Sequence, residues 1–177
     1  MIDLFAYDSF FVRKCLTLYN MLSPTIIERP AQLLAGRKLN MSYAVDRTPQ
    51  LWQSFMPIKK HIHQAIGEAL YSLQIYPPHF FDTFNPTIEF EKWALIAVSH
   101  GNDLPEHIVP FEMPGGWYAL FHHKGMDKSI FNEIYSNWLP ASGYALDDRP
   151  HFEVLGPNYK QGSDDSEEEI WIPIKKP

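Results

Sequence analysis

The order strand–strand–helix–strand–strand can be read twice along this chain, once on each side of Gly101. No residue-level repeat accompanies it, yet this duplicated order limits the fold more than any single motif. The second copy is the clearer one. HIVPFEM and GGWYALFHH alternate as strands, and a helix is expected from about Met126 to Trp138. Its buried stripe is Ile130, Phe131, Ile134, Tyr135, Trp138 and Leu139, and Pro140 ends it. HFEVL and EIWIPI follow as strands, separated by the acidic, solvated loop QGSDDSEEE.

The first copy starts after Pro24 with TIIERPAQLLAGRKLNMSYA, an extended stretch with a turn or bulge expected at Pro30 or Gly36. A helix start follows, with Thr48 as cap and Pro49 in the first turn. Trp52, Phe55, Met56, Ile62 and Ile66 continue at helical spacing, with a kink or split expected at Pro57. LYSLQIYPP and TIEFEKWALIAVS complete this copy as strands. Two such units join into one antiparallel sheet with both helices on one face. The expected class is therefore α+β, a tandem duplicated module with the opposite sheet face concave, partly open and available as a ligand groove. The modules span about residues 24–101 and 102–177. Residues 1–23 form a separate helical extension, with Phe5, Phe11 and Cys15 on its apolar stripe, that packs on the body or on a partner.

Composition narrows the function classes. Hydrophobic residues make up 45% of the chain and aromatic residues 15%, more than packing alone asks of 177 residues. A net charge of −6 with dispersed basic residues argues against direct nucleic-acid binding. The single cysteine, Cys15, allows neither an internal disulfide nor a cysteine zinc site and fits a reducing compartment. No apolar run is long enough to span a bilayer, and MIDLFAYDSF carries an acid where a secretion signal needs basic residues. A cytoplasmic protein without a membrane partner is expected. His122 and His123 point to opposite faces of a strand, and His61 and His63 diverge on a helix, so no metal site is expected. No serine sits in a nucleophile elbow, so a serine hydrolase is not expected, and GMDKSI lacks P-loop spacing; no cofactor is expected.

Strand alternation then sorts candidate ligand residues by face. Ile170, Ile172 and Ile174 suit packing on the helices, which puts Trp171 on the open side. Phe152 and Val154 suit the core, which puts Glu153 on the open side as a carboxylate between apolar neighbours. Tyr76 points opposite to Leu73 and Ile75. Alternation does not decide between the two sets of the GGWYALF strand.

PGGWYALFHHKG, the helix ending NWLPASGY, DDRPHFEVL and EIWIPI together resemble the GyrI-like small-molecule-binding domain, the effector-binding domain of AraC-type and MerR-type bacterial regulators. LWQSFMP and FEKWALIAVS resemble its first half, so the likeness runs from about Pro24 to Lys175. The resemblance implies a central groove for hydrophobic, aromatic or cationic compounds. It matches the groove glutamate to Glu153, a groove tyrosine to Tyr118 and a groove tryptophan to Trp93. With Tyr76 and Trp171 from alternation, these are the candidate ligand-binding residues. The leading expectation is a small-molecule effector-binding protein in stand-alone form, without a DNA-binding domain of its own. Two alternatives accompany it: a hydrolase of cyclopropane-type or other electrophilic genotoxins, with Glu153 and Tyr118 as its catalytic pair, or a gyrase-inhibitor-like interaction protein. For the latter, gyrase, a regulator or a second copy is the partner. Ala97 stands where stand-alone relatives often carry a second acid, which weakens the hydrolase alternative.

Overall fold

The computed structural model describes residues 23–176, so the expected N-terminal helix and Cys15 lie outside the described residues. In chain order the elements are β1 (Thr25–Arg29), β2 (Gln32–Met41), α1 (Thr48–Lys59), β3 (Ala65–Ile75), β4 (Phe90–Val98), β5 (Val109–Met113) and β6 (Gly116–Lys124). Then come α2, β7 (Ala145–Leu146), β8 (His151–Leu155) and β9 (Glu167–Lys175). Helix α2 runs as a turn Ser129–Asn132, a π-helical segment Glu133–Trp138 and a last turn Leu139–Ala141. The duplicated order is real: β1–β2–α1–β3–β4 is followed by β5–β6–α2–β8–β9.

Local chemistry moved several boundaries. Thr48 is the first helical residue of α1, because the Asp46 carboxylate accepts its N–H at 2.9 Å and Pro49 occupies the first turn. The helix tolerates Pro57 and stops at Lys59. Ile62 lies beyond it, and Ile66 already belongs to β3, whose register shifts between Ala65 and Leu70. Helix α2 starts at Ser129 because Asp127 accepts the Ser129 N–H in a tight turn. It ends one residue after Pro140, and the wider π turn lies just ahead of that ring, where an α turn would crowd the carbonyl four residues back.

The strands pair antiparallel in the order β1-β6-β9-β8-β3-β4-β2-β5, with β7 attached to the end of β9. The links β1–β2 and β5–β6 each contain only two residues, Pro30–Ala31 and Pro114–Gly115. Laid flat, β1 and β2 would stand six strand spacings apart, roughly 29 Å at about 4.8 Å each, whereas a two-residue link reaches roughly 10 Å. The sheet must therefore curl until its two ends cross. At the crossing, a Cβ on Gly115 would lie 2.6 Å from the Ala31 nitrogen and 2.7 Å from the Arg29 carbonyl oxygen, so only glycine fits. The turn expected at Pro30 or Gly36 is at Pro30; β2 runs unbroken through Gly36, against the Ala94 carbonyl.

Curling gives the two faces different fates. Leu120, Trp171, Phe152, Leu73 and Trp93 form one continuous cross-strand row on the inner face. With Leu34, Tyr71, Leu95, Met113 and Tyr118 they make a buried core that needs no covering element. On the outer face, α1 packs through Leu51 and Phe55 onto Ala94 and Ile96. Helix α2 packs through Ile134 and Trp138 onto Phe121, Ile170 and Ile172. Both helices thus lie on one face of an α+β antiparallel sheet, as anticipated. The face away from them, anticipated as the open groove, is filled instead, because the sheet closes on its own aromatic side chains.

Candidate functional site

The outer-face row in the middle of the sheet reads Phe121–Ile170–Glu153–Ser72–Ala94–Arg37. Helix α2 covers the start of this row and α1 covers Ala94. Glu153 and Ser72, on the two central strands, fall between the helices. The neighbouring row on the same face places Lys92, Gln74 and His151 side by side. Ser72, Gln74, Lys92 and His151 are four of the six buried polar residues found among the described ones. Buried polar groups cost stability unless paired, so their concentration at one spot marks a built site.

Glu153 is well partnered. Its Oε1 accepts a hydrogen bond from the Gln74 amide at 3.1 Å, and its Oε2 lies 3.5 Å from the Lys92 ammonium. The Glu153 side chain is 14% exposed and that of Lys92 only 7%. Burial pulls the Lys92 ammonium below its ordinary range, while the Glu153 charge and hydrogen bond oppose that pull.

Aromatic groups enclose this floor. The His151 ring shares a 2.7 Å hydrogen bond between Nδ1 and the Tyr135 hydroxyl, so α2 and β8 meet over it. Phe81, from the connection between β3 and β4, stacks on both rings, with centroids 5.1 Å from His151 and 5.0 Å from Tyr135. Tyr76 meets the His151 ring edge-on at 5.0 Å, and its hydroxyl lies 2.7 Å from that of Tyr43. Burial holds His151 neutral, driving its pKa down from 6.5 to about 3 against the opposing pull of Asp147. The hydroxyls of Tyr43, Tyr76, Tyr135 and Tyr159 are all held above their ordinary range, first by burial and then partly by the charge on Glu153. Beside the stack, a cavity of about 170 Å³ opens between Tyr76, Phe81, His151, Asp147 and Arg149.

Of the five residues singled out from sequence, the structure brings together Glu153 and Tyr76. Trp93, Tyr118 and Trp171 lie across the sheet in the inner core. Trp171 is in register with Phe152, whereas Glu153 is in register with Ile170, so the register puts Trp171 and Glu153 on opposite faces. Each inner aromatic already faces a cation of the chain. Lys38 Nζ lies 5.1 Å from the Trp93 ring, Arg149 Cζ 4.5 Å from Tyr118, and Arg29 Cζ 4.9 Å from both Trp171 and Phe152. Arg149 also donates to the carbonyls of Gly115, Trp117 and Ile174, which pins it in place. Strand alternation sets His151 on the same face as Glu153, whereas Lys92, Gln74, Tyr135 and Phe81 were not anticipated. The legible signal was a polar residue breaking an apolar strand, Gln74 between Leu73 and Ile75 and Lys92 ahead of WALIAV.

The family model described as the GyrI-like small molecule binding domain matches residues 22–175. The transcriptional regulator BrlR of Pseudomonas aeruginosa is 31% identical over 157 residues, covering 84% of this chain and 54% of the relative. The chain thus spans about half the length of the curated relative it matches. Among solved structures, SAV2435 bound to tetraphenylphosphonium superposes with a TM-score of 0.63 at 15% identity, covering 87% of this chain and 94% of that one. The EcmrR C-terminal domain superposes with a TM-score of 0.62 at 18% identity, covering 89% of this chain and 99% of that one. At these identities the two structures speak to the fold.

Proposed function

The chain belongs to the GyrI-like small-molecule-binding family, and from that premise we propose that it binds a small aromatic compound in the cleft between α1 and α2, as the effector-binding module of a regulatory system. The observation that carries this reading is the buried polar floor between the helices, with Glu153 hydrogen-bonded to Gln74 on it and the rings of Tyr76, Phe81, Tyr135 and His151 packed together beside it. Aromatic rings stack on planar ligands, each contact contributing on the order of 0.5–1.5 kcal/mol, and a partly buried carboxylate supplies orientation. That SAV2435 was solved with tetraphenylphosphonium supports a ligand of this kind on this fold. The hydrolase alternative has no support at Ala97, which sits on the inner face, so an acid there would point away from Glu153.

Tyrosine and tryptophan fluorescence titrations with tetraphenylphosphonium and with its uncharged relative triphenylphosphine oxide test the reading. Saturable binding is expected, and Glu153→Gln is expected to weaken the cation more than the neutral compound. Absence of saturable binding by either probe, or unchanged affinities in the variant, would refute it.

A further inference from the structure

The carboxylate of this cleft already has a counter-ion of its own. Lys92 projects from β4 on the helix face, and its ammonium lies 3.5 Å from Glu153 Oε2. Its strand neighbours in register, Leu39 and Gln74, carry no titratable group. The other charges that reach it are Asp46, ahead of α1, and Lys128, ahead of α2. His151, on the same floor, is neutral at ordinary pH and adds none. On the floor itself Lys92 and Glu153 offset each other's charge before any ligand enters.

We propose that Lys92 sets the charge class of the ligand: the cleft takes aromatic compounds without net positive charge, and accepts a permanent monocation only when Lys92 gives up its proton. The inference rests on the proposed binding in this cleft and narrows its ligand. Two cations cannot share one carboxylate cheaply in a site sheltered from water. A permanent cation that reaches Glu153 leaves the Lys92 ammonium buried and unpaired, and the cheapest relief is release of its proton to solvent. Burial has already brought that ammonium partway to release. A neutral or zwitterionic aromatic compound leaves the Lys92–Glu153 pair intact.

The sign is fixed by mass action. Below the pKa of Lys92 in the free protein, binding that expels one proton strengthens with rising pH, approaching about tenfold per pH unit. The test uses the full chain, tetraphenylphosphonium as the cation and triphenylphosphine oxide as the neutral probe, titrated between pH 6.5 and 8.5. In the wild type, cation affinity is expected to rise at least tenfold across that range, while the neutral probe stays level. Lys92→Met is expected to remove the slope and to raise the ratio of cation to neutral affinity at least tenfold at pH 7. Lys92→Gln serves the same purpose if the methionine variant does not fold, and the wild-type slope needs no variant at all. A cation bound with no pH dependence, or an affinity ratio unchanged in the variants, overturns the role of Lys92 and leaves the cleft standing. Failure of both probes to bind the wild type overturns the cleft, and this inference with it.

Discussion

His151 should make this protein lose stability in mild acid, by an amount that follows from its surroundings. The imidazole is buried between Phe81, Tyr76 and Tyr135, which depresses its pKa from 6.5 to about 3 in the folded state. Below pH 6.5 the unfolded chain takes up a proton here that the folded chain refuses, so the contribution is fully present above 6.5 and is lost as pH falls toward 3. With one pKa unit equal to about 1.4 kcal/mol, the loss between pH 7 and pH 5 comes to about 2 kcal/mol. Urea unfolding at the two pH values, on the wild type and on His151→Gln, isolates this contribution from the other histidines, which both proteins share. Glutamine can still accept the Tyr135 hydroxyl but does not titrate. The variant, whatever its absolute stability, should lose about 2 kcal/mol less than the wild type over that interval. Equal losses in the two proteins would show that His151 protonates freely in the fold and is not sealed beneath the Phe81 stack.

Leu73 lies in the middle of the inner row, fully buried between Phe152 and Trp93, and Leu73→Ala should cost about 2–5 kcal/mol by chemical denaturation. Because this residue is on the face away from Glu153, the affinity of the folded variant for either probe should stay within about twofold, that is, within about 0.4 kcal/mol. Phe81 is expected to act as the door of the cleft. The cavity of about 170 Å³ beside Phe81 and His151 stops short of Glu153 and is smaller than the roughly 300–1,000 Å³ that drug-sized ligands occupy. Phe81→Ala should therefore speed association of tetraphenylphosphonium several-fold in stopped-flow mixing. Faster dissociation with unchanged association would make Phe81 a ligand contact instead.

What the sequence disclosed and what it withheld divide along one physical line. Element order, strand alternation and the pairing of isoleucines with α2 were legible, because each depends on residues close together in sequence. Alternation also correctly set Glu153 opposite Phe152, but with the faces exchanged: Glu153 shares the helix side with Ile170, and Phe152 is on the side away from the helices. It could not say which face would close. That depended on Pro30–Ala31 and Pro114–Gly115 being short enough to force the sheet ends together, a consequence of strand order rather than of local pattern. Trp171 was grouped with Glu153 for the same reason: without register, two residues on neighbouring strands cannot be assigned to one side.

The same closure explains why the aromatic residues that best suited a cationic ligand serve another purpose. Curling the sheet brings Arg29 and Arg149 to its crossing point, where Gly115 leaves no room for a side chain. A guanidinium there loses water and must find partners within the protein. Arg29 finds Phe152 and Trp171; Arg149 finds Tyr118, Asp147 and three backbone carbonyls. Cation–π contacts of this kind are worth about 2 kcal/mol when desolvated, so Phe152 and Trp171 fasten the first half of the chain to the second through Arg29, and Tyr118 helps to hold Arg149 within the second. On the helix face no such closure occurs, and Lys92 meets Glu153 with a single contact at 3.5 Å. The inner cations are multiply held, whereas the Lys92 ammonium is held by one carboxylate contact. A charge pair that a ligand can rearrange has to be of the second kind, and Lys92–Glu153 fits that description.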